Sequence, residues 1–167
     1  MPFVAMMALA GCGGDTEDFP PPCPKVAILH DAADLNRFNG SGQDITQMVL
    51  SGRITGLSGA CTRTKDGNVL TTVTVSLELT RGPAARGRVA DAAYFVALVD
   101  GETILAKRVY PMRGEFPANA AGLRLGGEEV QVAVPNSATK SAASYQLLVG
   151  FELTPEELAI NRARGIR

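Results

Sequence analysis

The chain has 167 residues, with 16 Lys and Arg against 17 Asp and Glu and a formal net charge of −1. That balance lacks the strongly basic face of a nucleic-acid-binding domain, so no nucleic-acid partner is expected. Trp is absent and aromatics make up 5% of residues, which argues against stacking platforms for sugars.

Met1 to Ala8 are apolar throughout. The run is far shorter than the roughly 20 residues needed to span a bilayer. It leads into Leu9-Ala10-Gly11-Cys12, a leucine and two small residues before a cysteine. These four residues resemble the lipobox of the bacterial lipoprotein signal family, matching it at every position. The resemblance implies that residues 1–11 are a signal peptide that is removed. Cys12 then becomes the N-terminus, carrying a thioether diacylglycerol and an amide-linked chain such as palmitate. Each buried CH₂ contributes about 0.8 kcal/mol and one chain anchors only marginally, so several chains on one cysteine hold the protein permanently. The basic residue that opens such signals is missing, as it would be with a start codon placed too far downstream. The competing reading is a buried N-terminal strand with an incidental cysteine.

The residues after Cys12 favour the anchor. Residues 12–24 read as a tether: Gly13-Gly14-Asp15-Thr16-Glu17-Asp18 is flexible and acidic, and Pro20-Pro21-Pro22 favours an extended form at ~3.1 Å per residue. Together they reach up to ~30 Å from the bilayer. Gly13 stands where an Asp retains enterobacterial lipoproteins in the inner membrane. The expected location is therefore the periplasmic face of the outer membrane, with the inner membrane as the alternative.

With Cys12 lipidated, Cys23 and Cys61 remain, and in an oxidising compartment a leftover pair reads as a disulfide. The rivals are two free buried thiols and a metal site joining Cys23, Cys61 and His30. The metal site is disfavoured by a spacing that matches no ligand pattern and by the single histidine.

Residues 25–167 read as one domain. Lys25 to Leu29 is a short apolar run, and Asp31 to Leu35 suits one helical turn capped by Asp31. Asn39-Gly40-Ser41-Gly42 is a loop. Ile45 to Ile54 carries a strand signal, and Gly52, Gly56 and Gly59 suggest bulges or close backbone approach. After a turn at Lys65-Asp66-Gly67-Asn68 comes the clearest strand. Val69, Val73, Val75, Leu77 and Leu79 share one face, and Thr72, Thr74, Ser76, Glu78 and Thr80 share the other. Arg81 to Arg88 is a loop. Ala92 to Val99 and Thr103 to Tyr110 form a hairpin through Asp100-Gly101. Glu115 to Gly127 reads as an irregular connection. Val130, Val132 and Val134 alternate in a further strand, and Tyr145, Leu147, Val149, Phe151 and Leu153 in the last. Thr154-Pro155-Glu156-Glu157 is a capping box with proline at the first helical position, opening a short helix.

About seven strands with hairpin turns point to an all-β fold, an antiparallel β-sandwich of immunoglobulin-like or related type with a short C-terminal helix. A small barrel is the runner-up. The segments Ile54 to Cys61 and Val149 to Leu158 resemble a family of proteobacterial envelope lipoproteins. That resemblance implies an envelope location and carries no activity or site residues.

The chemistry-bearing residues form no catalytic group. A Ser-His-Asp arrangement must use His30, whose neighbour Asp31 is poorly placed for a triad, and no nucleophile elbow is present. Glu128 and Glu129 point to opposite faces of a strand, and Glu156 and Glu157 suit a helix N-terminus. Gly11-Cys12-Gly13-Gly14 and Gly40-Ser41-Gly42 lack the setting of a phosphate loop. Outside the signal only Met48 and Met112 remain, too few for a thioether copper site. No cofactor and no metal are expected. Arg81, Arg86 and Arg88 on one loop, with Lys107, Arg108 and Arg113 on or after the next hairpin, form a basic patch if they lie together; otherwise they pair with local carboxylates. The expected function is a lipid-anchored, non-enzymatic module that meets the membrane through its lipid and serves envelope assembly or binds an envelope protein. The alternative is a periplasmic enzyme or small-ligand binder with a dispersed site.

Overall fold

A computed structural model describes residues 21–40 and 43–164. The lipobox, Cys12 and the acidic part of the tether lie outside the described residues.

Among the described residues, nine strands form two sheets. The first sheet contains β1 (Lys25–Ile28), β9 (Gln146–Phe151), β5 (Val89–Asp100) and β6 (Thr103–Glu115), in the order β1-β9-β5-β6. The second runs β2 (Asp34–Phe38), β3 (Met48–Arg63), β4 (Val69–Arg81) and β7 (Gly122–Gly126). Strand β8 (Val130–Val134) joins β4 at Val69–Val73, while β7 occupies Ser76–Thr80, so the two short strands follow one another along one edge. All pairings are antiparallel except β1 with β9. Helix α1 (Pro155–Arg164) closes the described chain. The fold is thus all-β, with two sheets on one core and a short C-terminal helix.

The alternation in β4 builds the centre of that core. Val69, Val73, Val75, Leu77 and Leu79 are at most 1% exposed, packed with Tyr94, Val96, Leu147, Val149 and Phe151 of the other sheet. Strand β5 is buried on both sides. Phe95, Ala97 and Val99 face outward but are covered by Ala32, Leu148 and Leu153. Its hairpin turns at Gly101, whose φ of +57° lies in the left-handed region that suits glycine. The expected bulge and close approach in β3 are both present. Thr55 is the extra residue between Ile54 and Gly56, and a Cβ on Gly59 would stand 2.1 Å from the Thr72 carbonyl oxygen.

Three expectations are corrected. The helical turn is a 3₁₀ turn at His30–Ala32 with no side-chain cap, so Asp31 lies inside it. Asp34 and Leu35 already belong to β2, because Leu35 must enter the core while Asp34 and Asn36 face out. Ile45–Gln47 is another 3₁₀ turn, capped by Asp44, and the strand begins at Met48. Within Glu115 to Gly127 the chain forms β7, whose Leu123 and Leu125 pack against Gly114; two leucines among glycines are too weak a pattern to announce a strand.

Cys23 and Cys61 form a disulfide with Cα atoms 5.9 Å apart. It joins the segment entering β1 to β3, and so links the two sheets.

Candidate functional site

The six basic residues fall into two groups. Lys107 and Arg108 lie midway along β6. Arg81, Arg86, Arg88 and Arg113 gather where β4 ends and β5 begins, with Arg113 in register with Asp91. Lys107 pairs with Glu152 at 2.6 Å and covers the Phe95 ring at 4.6 Å. Arg88 pairs with Glu115, and Arg113 lies 3.4 Å from Asp91. Arg81 donates to the Gly87 carbonyl at 3.4 Å. Arg86 and Arg108 meet no carboxylate within ion-pair range among the described residues.

Strand β6 is the outer edge of its sheet, and Thr103 to Val109 are exposed on both faces. Ile104, Leu105 and Val109 are 62%, 48% and 46% exposed. The Phe116 N–H donates to the Arg88 carbonyl at 2.7 Å. Antiparallel alternation then aims the backbone groups of Lys107, Val109, Pro111 and Arg113 at solvent. Pro111, which has no N–H, therefore costs the ladder no bond and blunts the free edge. Leu105 is a bulge residue, skipped between the pairs Val99–Ile104 and Leu98–Ala106.

A second surface is polar. On the outer face of the second sheet, Asp34, Arg53, Glu78 and Arg124 stand in register across β2, β3, β4 and β7, with alternating charge. Arg53 Nε is 2.7 Å from Asp34 Oδ1, and Arg124 Nε is 3.7 Å from Glu78 Oε2. The Asp34 carboxylate raises the Arg53 pKa. Helix α1 walls this surface. The Asn161 Nδ2 donates to the Asp31 and Asp34 carbonyls at 2.9 and 2.7 Å, and Arg162 bonds Asp31 at 3.0 Å. Between wall and sheet lies an open cleft of about 1030 Å³. No local signal announced it, because its groups meet only through cross-strand register and across sequence separations above 120.

The remaining candidates are dispersed. His30 is half exposed at the rim of this cleft, its Nδ1 3.7 Å from Asp31 Oδ1. Glu128 and Glu129 are exposed before β8. Glu156 is exposed in the first turn of α1, where local backbone and Thr154 hydrogen bonds hold its carboxyl below the usual range. Glu157 is buried. Among the described residues no three His, Cys, Asp or Glu side chains gather to hold a metal ion. Comparisons of the chain with protein-family models, curated proteins and solved structures found no match.

Proposed function

We propose that this chain is a lipid-anchored, non-enzymatic envelope lipoprotein, an assembly or protein-binding module held by Cys12 at the periplasmic face of the outer membrane. Its two sheets are read as a sandwich related to the immunoglobulin type. The observation that carries the binding role is the free edge of β6. An exposed edge with unpaired backbone groups is a template for a partner strand. Between the Leu105 bulge and Pro111 the free groups are those of Lys107 and Val109, and Ile104, Leu105 and Val109 offer apolar side chains beside them. Lys107 and Arg108 at its middle oppose pairing with a second copy and suit an acidic partner. In the same reading the disulfide fastens the end of the tether to the domain.

The test is made in intact cells. The wild type should incorporate labelled fatty acid and sediment with membranes, and Cys12→Ser should do neither; unchanged labelling in the variant ends the anchor. A photo-crosslinking residue at Val109 should capture one discrete protein that the same residue at Thr74, on the opposite sheet, does not. No product, or the same products at both positions, removes the docking role.

The cleft beside α1 favours a second reading, binding of a small polar ligand. Its carboxylates Asp31, Asp34 and Glu78 are already engaged by Arg162, Arg53 and Arg124, which leaves it less charge to offer a ligand.

A further inference from the structure

A second pocket, of about 210 Å³, opens at the end of the sheets where β4 runs into β5. Arg37, Arg81 and Arg86 line it, with Asp91 on the wall and the apolar Leu50 and Phe116 beside them. The three guanidiniums are not equally occupied. Arg37 gives Nε to Glu157 and NH1 to the Asp91 carbonyl, both at 2.9 Å, so its charge is matched. Half-buried Arg81 spends one long bond on Gly87, and Arg86 has no carboxylate partner among the described residues. The one carboxylate on the wall, Asp91, has Arg113 at 3.4 Å. Two positive charges therefore stand uncompensated over a pocket in a chain whose net charge is −1.

The loop that carries them is held in place. Gly82 and Ala84 N–H groups donate to the Val49 and Met48 carbonyls of β3, both at 2.9 Å. A Cβ on Gly82 would stand 2.1 Å from the Met48 oxygen, so loop and strand touch backbone to backbone. The backbone that carries Arg86 is thus fixed beside the pocket, and half-buried Arg81 lies next to the apolar Leu50 and Phe116, where its field is less screened than in open solvent.

The geometry points to a phosphoryl-binding site: the pocket takes a phosphate monoester group between Arg81 and Arg86. A tetrahedral phosphate offers acceptor oxygens to donors arriving from several sides, which suits separate guanidinium forks better than a flat carboxylate does. At about 210 Å³ the pocket is large enough for one such group together with ordered waters. The site lies at the opposite end of β3 from Cys61, where the segment entering β1 is tied down.

Titration of the full-length chain with inorganic phosphate, followed by the amide resonances of the Gly82–Arg88 loop, tests this. Saturable shifts are expected. Arg81→Gln and Arg86→Gln should each weaken binding about tenfold, and Arg124→Gln, on the other face, should leave it unchanged. Arg86 is exposed, so its replacement keeps the fold, and Arg86→Lys should recover only part of the affinity. Vesicles of phosphatidylcholine with phosphatidic acid distinguish the source. Retention that depends on Arg86 assigns the group to a lipid, and phosphate binding without retention assigns it to a soluble or polymer-borne ester. Absence of saturable binding, indifference to both Gln variants, or acetate competing as well as phosphate would overturn the assignment.

Discussion

Arg37 and Glu157, 120 residues apart in sequence, meet in an ion pair with Nε 2.9 Å from Oε1. The carboxylate works twice. Its other oxygen accepts the Thr154 N–H at 2.9 Å, while Thr154 Oγ1 accepts the Glu157 N–H at 3.2 Å, so the capping box is closed in both directions. Arg37 also reaches the Asp91 carbonyl in the first sheet. One residue pair thus connects the helix, the second sheet and the first.

Removing the carboxylate should therefore cost more than losing a cap. Thr154→Ala should destabilise the chain by about 1 kcal/mol. Glu157→Ala, which also strips Arg37 of its partner, should cost about 2–3 kcal/mol. Urea denaturation checks both through the midpoint at constant slope. Equal losses in the two variants would mean that the Arg37 pair contributes nothing beyond the cap.

This helix shows what a sequence can announce and what it cannot. Thr154, Pro155 and Glu157 are local neighbours, so the cap is written in consecutive residues. Arg37 and Asn161 are isolated polar residues in their own segments, and only the folded chain brings them to α1. The same division runs through the sheets. The strict alternation of Val73 to Leu79 marks a half-buried strand because several residues repeat the signal. Strand β7 has only Leu123 and Leu125 to show, and its strand state is imposed by the free edge of β4. The parallel pairing of β1 with β9 depends on which edge is left open, which no local pattern encodes. The basic loop was visible as composition, whereas its pocket required Arg37 and Phe116 from distant segments.

The Cys23–Cys61 bond spans 38 residues and joins the two sheets. For a closed loop of that length the chain-entropy estimate is about 4 kcal/mol. Cys61→Ser, or reduction before unfolding, should lower the stability by up to that amount. Thiol titration of the unfolded, unreduced chain should find neither cysteine reactive. Two reactive thiols at these positions would refute the bond.

Thr71 occupies a core position near the start of β4, between Val69 and Val73 on its apolar face, 3% exposed, and its hydroxyl has no hydrogen-bond partner among the described residues. A buried hydroxyl left unpaired loses its water without compensation, at about 1–3 kcal/mol. Thr71→Val keeps the shape and removes the polar atom, so it should raise the stability by about 1 kcal/mol. A thermal or urea comparison decides it, and a destabilised Val variant would mean that the hydroxyl has a partner in solution.

Acid should act through a few exposed carboxylates held by local donors. The Arg162 guanidinium beside Asp31 keeps its pKa below the ordinary 3.8 despite some desolvation, with His30 adding to the effect. The Thr46 N–H and hydroxyl, both 2.8 Å from Asp44, do the same there. A carboxyl whose pKa is lower in the folded chain binds fewer protons there than in the unfolded chain. Its stabilisation is therefore present above the ordinary value and is lost as the pH falls through the folded value. Lys140 has the opposite sign. Its bond to Asp100 raises its pKa above 10.5, so its contribution is present below that value and lost as the pH rises through the folded one. Between these limits, from about pH 5 to about pH 9, these groups should leave the thermal midpoint nearly flat. Below about pH 4 it should drop, and Asp31→Asn together with Asp44→Asn should make that drop shallower. An acid limb of unchanged steepness in the double variant would assign the loss to other carboxylates.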